Sequence, residues 1–258
     1  MTVHSRTATV QLSPFSVASS AKMIGKNNES SGYMALWSTK ANCHGRVVSS
    51  SGSLVRTQRS SIGTTHRSAM KLKKNPWAAL FPCPVVLVTC VDSDGKPNII
   101  TLAWSGVVCS EPPTIGLGIR PERHSYRLIE DSAEFVANIP TKDMLKAVDF
   151  CGVVSGRDVD KFSETGLTPE PAEKVKPPLI RECPVNMECL LSKKIAVGTH
   201  HLFLGEIIRV HVDEEALDKT GRIDFRKVSP FVYNQGEYWD LHERIGVHGF
   251  SKQPATGN

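Results

Sequence analysis

Between Pro84 and Arg120 the chain packs three β-rich runs into fewer than forty residues, and this spacing constrains the fold more than any other feature. PVVLVTCV (Pro84–Val91) is β-branched, and DSDGKP (Asp92–Pro97) is turn chemistry, with Asp-Gly and Pro in place. NIITLAWSGVV (Asn98–Val108) is a second strand, Glu111-Pro112-Pro113 interrupts, and TIGLGIR (Thr114–Arg120) is a third. Strand, turn and strand at such intervals leave no room for crossover helices, so the pattern predicts antiparallel hairpins. Further along, the sequence predicts a short helix over Ser125–Asp131, a strand EFVANI (Glu134–Ile139), and a helix capped by Thr141 and running to about Phe150. Residues 152–176 read as a polar, Gly/Pro-bearing excursion. Two long strands follow, Val185–Val197 and His201–Val212, flanking Gly198-Thr199-His200. Val228–Tyr233 and Tyr238–Leu241 form a last hairpin-like pair. With seven or eight strands, two or three short helices and few βαβ units, the fold class is mainly β: an antiparallel barrel with short helices appended.

Charge separates the chain into two parts. Of its 31 Lys/Arg and 26 Asp/Glu, residues 1–69 hold eight and one, and the remainder holds 23 and 25. The formal charge of +5 therefore belongs to a Ser- and Arg-rich extension, and the reading of the whole protein as a nucleic-acid binder loses its main support. Residues 1–69 lack periodic apolar patterning and are expected to be disordered. They match the composition of an organellar transit peptide, or of a segment translated from an upstream start, since Met70 opens the first globular-looking stretch. The domain is placed at 70–258. No apolar run approaches the ~20 residues of a membrane span. Seven cysteines show no CxxC spacing, which argues against a zinc ribbon. Cys83, Cys90 and Cys109 read as small buried hydrophobes, and free thiols imply a reducing, cytoplasmic compartment, with organellar import if the extension is a transit peptide.

Four stretches could carry chemistry. In NIITLAWSG, Asn98, Thr101 and Ser105 punctuate an apolar strand. They are either satisfied core hydroxyls and amide, or groups facing a flat polar ligand with Trp104 as its apolar wall. IRPERHSYRLIEDS (Ile119–Ser132) sets Arg120, Arg123, His124, Ser125 and Tyr126 where a strand ends and a helix starts. Guanidinium, hydroxyl and free helix N–H groups together make a phosphate site; the plain alternative is a solvated basic turn with Ser125 or a neighbour as N-cap. Arg123 with Ser125 is the leading pair there, Arg120 touches ligand or a neighbouring subunit, and Arg127 is an ordinary solvated charge. VSGRDVDKF (Val154–Phe162) offers backbone donors at Ser155-Gly156 and a point charge at Lys161. In VGTHHLFLGE (Val197–Glu206) the adjacent His200 and His201 point to opposite faces of a strand, which disfavours joint metal ligation. GxSxG, HExxH, GxxxxGK[ST] and GxGxxG are all missing.

The order of these blocks resembles the flavin reductase-like family, including flavoredoxins. PCPVVLVTC, GKPNIITLAWSG, EPPTIGLGIRPERHSY, EFVANIPT, VSGRDVDKF and GTHHLFLGE follow one another as in that family, and YNQGEYWDLHERIGVHGFSK is similar to its ending. The resemblance runs from about Asn75 to Lys252. It implies an FMN-binding antiparallel split β-barrel, homodimeric, with FMN held non-covalently near the subunit interface. It also implies an NAD(P)H-dependent flavin oxidoreductase using NADH or NADPH as electron donor. The alternative is a flavoredoxin-like FMN electron carrier, reduced by a partner protein and lacking its own nicotinamide site. Carried over by position, the cofactor strand is Asn98, Thr101, Leu102, Ala103, Trp104 and Ser105. The phosphate corner is Arg120, Arg123, His124, Ser125 and Tyr126, and the loop is Ser155, Gly156, Lys161 and Phe162. The Gly-x-His motif points to His200, a candidate catalytic or pocket-ordering group, while His201 departs from the acidic or small polar residue of many relatives.

Overall fold

The computed structural model describes residues 70–252. The expectations of disorder and targeting for residues 1–69 lie outside the described residues.

Seven strands form one fully antiparallel sheet: β2 (Val86–Val91), β3 (Pro97–Leu102), β4 (Ser105–Ser110), β5 (Pro113–Ile119), β6 (Glu134–Ile139), β9 (Val185–Val197) and β10 (His200–Val212). The spatial order is β3-β2-β6-β9-β10-β5-β4, so β3 and β4, neighbours in sequence, stand at opposite ends of the sheet. A bend at Ala103–Trp104 joins those ends and curls the sheet into a split barrel. Gly118 N–H donates to Trp104 O at 2.7 Å, which extends the β4–β5 ladder by one pair up to the bend. A Cβ on Gly118 would lie 3.0 Å from Trp104 Cβ, so the pair is closely packed there. The sequence predicts one strand over Asn98–Val108. The structure breaks it in two, because a straight strand could not serve both margins of a closing sheet.

The hairpin joining β2 and β3 forms as expected. Asp92 Oδ1 accepts from Asp94 N–H at 3.0 Å and Lys96 N–H at 2.8 Å, and Gly95 takes φ +81°. All six β2 residues are buried, which explains why the run is continuously apolar rather than alternating. Val86, Val88 and Cys90 face the barrel interior with Leu117, Phe135 and Phe203. Leu87 and Ile99 face the helices, α2 (Leu145–Val153) and α3 (Lys161–Thr165), through Val148, Cys151 and Phe162. Burial of each such side chain contributes about 1.5–3 kcal/mol.

The helix α1 (His124–Ser132) starts one residue before the expected span, with Arg123 at the N-cap and no side-chain cap bond. Ser125 is therefore inside the helix, not its cap. Thr141 likewise makes no side-chain cap bond: a 3-10 turn over Lys142–Met144 precedes α2, which runs to Val153 rather than Phe150. The excursion after α2 contains α3 and a two-stranded pair, β7 (Pro169–Glu170) and β8 (Leu179–Ile180). It is tied down by Glu188, a fully buried carboxylate on β9. Glu188 accepts from the N–H groups of Glu173 (2.8 Å), Lys174 (2.6 Å) and Val175 (3.1 Å), and pairs with His211 Nε2 at 2.6 Å.

A short helix, α4 (Phe225–Val228), leads to β11 (Phe231–Asn234) and β12 (Glu237–Asp240), which with β1 (Cys83–Pro84) make a small three-stranded sheet. The six cysteines among the described residues are free. Cys90 is buried, Cys83 is half-buried, and Cys109 is exposed near the end of edge strand β4, which has β5 on one side only, contrary to the buried expectation.

Candidate functional site

β5 ends at Ile119 and the chain turns through Arg120-Pro121-Glu122, closed by Arg123 N–H donating to Arg120 O at 3.1 Å. The first turn of α1, through His124 and Ser125, borders a basic cavity of about 250 Å³. Arg120, Arg123, His124, Ser125, Ser155, Gly156 and Lys161, drawn from two sequence-distant stretches, line it together. Lys161 is only 5% exposed. Its ammonium donates to Ile99 O at 2.7 Å and Cys151 O at 2.8 Å, leaving one N–H of three for a ligand. Burial pulls its pKa below the ordinary lysine value, with Arg123 adding to the effect and Cys151 and Cys90 opposing it. The His124 pKa is lowered by burial first, then by the charges of Arg157 and Lys161. Gly156 is required by space: a Cβ there would fall 1.9 Å from Asn98 Oδ1.

A second cavity, about 400 Å³, shares Ile100, Arg120, Arg123 and Gly152 with the first, so the two adjoin as the two parts of one cleft. Its walls include Thr101, Leu102, Ala103, Trp104 and His200, with Tyr233 and Tyr238 contributed by β11 and β12. Trp104 and His200 lie parallel, with 4° between planes and centroids 6.1 Å apart. Burial, then the neighbouring Arg120, pulls the His200 pKa down. Tyr238 Oη donates to Asp149 Oδ1 at 3.0 Å; burial and that carboxylate push the phenol up to about 12. His201 faces the other way, its Nδ1 2.7 Å from Tyr126 Oη.

Four expected site residues do not line the cleft. Tyr126 is on the inward face of α1 with Leu128 and Ile129, and packs edge-on against Phe203. Phe162 turns into the core with Leu87 and Val148, since Asp160 caps α3 through the Phe162 and Ser163 N–H groups and sets the ring inward. Asn98 lies behind the basic wall, its Nδ2 donating to Ser125 Oγ at 2.7 Å. Ser105 follows the bend, and its buried hydroxyl has no hydrogen-bond partner. Sequence reasoning in turn misses Arg157, Asp149, Tyr233 and Tyr238. Arg157 is visible inside VSGRDVDKF; the tyrosines have no local signal, because only sheet pairing brings their hairpin to Trp104. Arg127 is solvent-exposed and pairs with Glu130 at 3.6 Å.

The fold and cleft together define a class: an antiparallel split barrel whose groove is aromatic at one end and cationic at the other. Residues 78–242 match the model described as Flavin reductase like domain, and the chain belongs to the flavin reductase-like family. It is 34% identical to the flavoredoxin of Desulfovibrio vulgaris (Miyazaki F), with TM-score 0.68 over 71% of this chain and 100% of that one. It is 30% identical to the flavoredoxin from Methanosarcina acetivorans, with TM-score 0.66 over 72% and 98%. An uncharacterized protein of Archaeoglobus fulgidus is 36% identical over 166 residues, 64% of this chain and 93% of that protein. These likenesses support a flavin-related oxidoreductase function. Among the described residues no helix is long and apolar enough to cross a membrane, and no cluster of three or more His, Cys, Asp or Glu could hold a metal ion.

Proposed function

We propose that the protein binds FMN non-covalently and is an NAD(P)H-dependent flavin oxidoreductase. The observation that carries this reading is the adjacency of an aromatic chamber and a cationic one, with Arg120 and Arg123 lining both. That layout suits a flat ring carrying a phosphate tail. The donor set fits a dianion: Arg123, Arg157, the spare Lys161 N–H and the first turn of α1 converge, and Glu122, the acid among them, is held by Arg120 at 3.2 Å. In this reading Arg123, His124, Ser125, Ser155, Gly156 and Lys161 hold the phosphate. Thr101, Leu102, Ala103, Trp104 and His200 shape the ring end, with Arg120 at the junction. Bound FMN would supply two-electron redox chemistry; the protein orients the ring, shields it from water and places positive charge beside it. His200 is an ordering group in this scheme, with Trp104 parallel to it. Asn98 acts indirectly, by fixing Ser125.

The test is the visible spectrum of the purified protein, followed by anaerobic addition of NADH or NADPH. A flavin band that bleaches within a turnover supports the proposal. A flavin band that persists until a partner protein reduces it supports the second reading, a flavoredoxin-like electron carrier, favoured by the 34% identity across the full length of a flavoredoxin. Failure to bind added FMN sinks both.

We further propose a homodimer, because Val107 and Val108 are exposed at 74% and 55% on edge strand β4, an apolar margin suited to a second copy. The active domain is assigned to residues 70–258, in the cytoplasm, or in an organelle if residues 1–69 are a transit peptide.

A further inference from the structure

His124 opens α1 and faces the cationic end of the cleft, and any role for it there rests on the phosphate reading of that end. Its ring lies against the loop after α2: a methyl on Gly156 would sit 3.2 Å from His124 Cδ2. Charged groups reach it from every neighbouring element. Arg123 precedes it at the helix cap, Arg157 comes from the loop, Lys161 from α3, and Asp92 and Lys96 from the β2–β3 turn. The positive pole of α1 acts in the same direction as the cations. Asp92 is the acid that opposes the cations, Glu122 in the preceding turn lines the same cavity but is held by Arg120, and His124 has no ion pair with a carboxylate among the described residues. Burial first, and then the cations, lower the imidazole's affinity for a proton.

The remaining donors are arranged for an incoming anion. The Arg123 and Arg157 guanidinium groups each reach a single backbone carbonyl, Gly152 O and Glu122 O, both at 3.4 Å, the weak limit of a hydrogen bond. A phosphate dianion placed among Arg123, Arg157 and Lys161 would offset the positive field around His124. We propose that His124 is a proton-linked phosphate ligand: as the dianion enters, the imidazole takes up a proton from the solvent and donates a hydrogen bond to it. The cleft thereby distinguishes a phosphorylated flavin from its dephosphorylated form to a degree that depends on pH. Between the phosphate's own second ionisation, at about 6, and the bound-state ionisation of His124, FMN affinity falls as pH rises, with a limiting slope of about tenfold per pH unit for one proton.

Calorimetric titration of the full chain, freed of flavin, tests this with FMN and riboflavin in two buffers of different ionisation enthalpy. The expected result is net uptake approaching one proton per FMN, none for riboflavin, and none for FMN with His124→Gln, whose weaker binding is titrated at higher protein concentration. Tighter binding of FMN than riboflavin without proton uptake overturns the role of His124 alone, as does uptake that persists in His124→Gln. Equal affinity for the two flavins removes the phosphate reading and the inference with it. The FMN-to-riboflavin affinity ratio of the unsubstituted protein against pH is a readout independent of any variant's folding; a ratio that does not fall across the window overturns the proposal.

Discussion

At the scale of single residues, the cationic chamber depends on groups whose neighbours leave little choice. Arg123 holds Gly152 O only weakly, so its charge is free for a ligand. Arg123→Ala is expected to weaken FMN binding by about 1.5–3 kcal/mol, the scale of a charged hydrogen bond, and unchanged affinity in a fluorescence titration would refute the phosphate assignment. Gly156→Ala drives a methyl into Asn98 Oδ1 and must displace the Asn98–Ser125 hydrogen bond. The expected cost is about 1–3 kcal/mol of stability, with weaker FMN binding, read by urea unfolding and titration. Glu188 gives a pH prediction. Burial alone would raise its pKa, but His211 and the N–H groups of Glu173 and Lys174 outweigh it and hold the carboxyl below the ordinary value of 4.5. A depressed carboxylate stabilises the fold above its unfolded-state pKa, and that stability is lost as pH falls from about 4.5 through the folded-state value. Glu188→Gln should cost about 1.5–3 kcal/mol at neutral pH, and the difference from the unsubstituted protein should shrink as the pH falls below that value. A constant difference would exclude an ionised Glu188.

At the scale of elements, the strand-to-helix corner acts by facing two ways. Arg123 and His124 look into the cleft while Tyr126, Leu128 and Ile129 pack the core, a division set by the 3.6-residue period of α1. In sequence the corner is a single cluster, and the helix sorts it. The β11–β12 hairpin covers the aromatic end and is joined to α2 by Tyr238 on Asp149, and to the 3-10 turn before α2 by Lys142 on Asp240 at 3.5 Å. Tyr238→Phe removes the first tie. Hydrogen exchange across Phe231–Asp240 should quicken, with a stability loss of about 0.5–1.5 kcal/mol; unaltered exchange would mean that the remaining ties, the β1 pairing and Lys142 on Asp240 among them, hold the hairpin.

At the scale of the whole molecule, the site exists because the barrel closes. Trp104 stands at the bend that links the two ends of the sheet, and Tyr233 of the β11–β12 hairpin packs against it with centroids 6.1 Å apart. Removing residues 1–69 is expected to leave FMN affinity and the melting temperature unchanged, measured by titration and calorimetry on the shortened chain. Loss of flavin on truncation would move the domain boundary upstream.

Much of this is legible in the chain itself, wherever short-range chemistry decides the outcome. The β-branched runs, the Asp-Gly turn after Val91, the bounds of Glu134–Ile139 and the long strand pair around Gly198 arise from propensity, alternation and turn residues acting over a few positions. The basic corner is legible as charge next to a helix start. Tertiary structure decided which of those groups face the cleft. It split the Asn98–Val108 run, buried Tyr126 and Phe162, set Asn98 behind Ser125, and added Arg157 and two tyrosines to the cleft. Sheet closure is a long-range event: the direction in which a side chain points depends on which distant strand arrives beside it, and no local pattern carries that information.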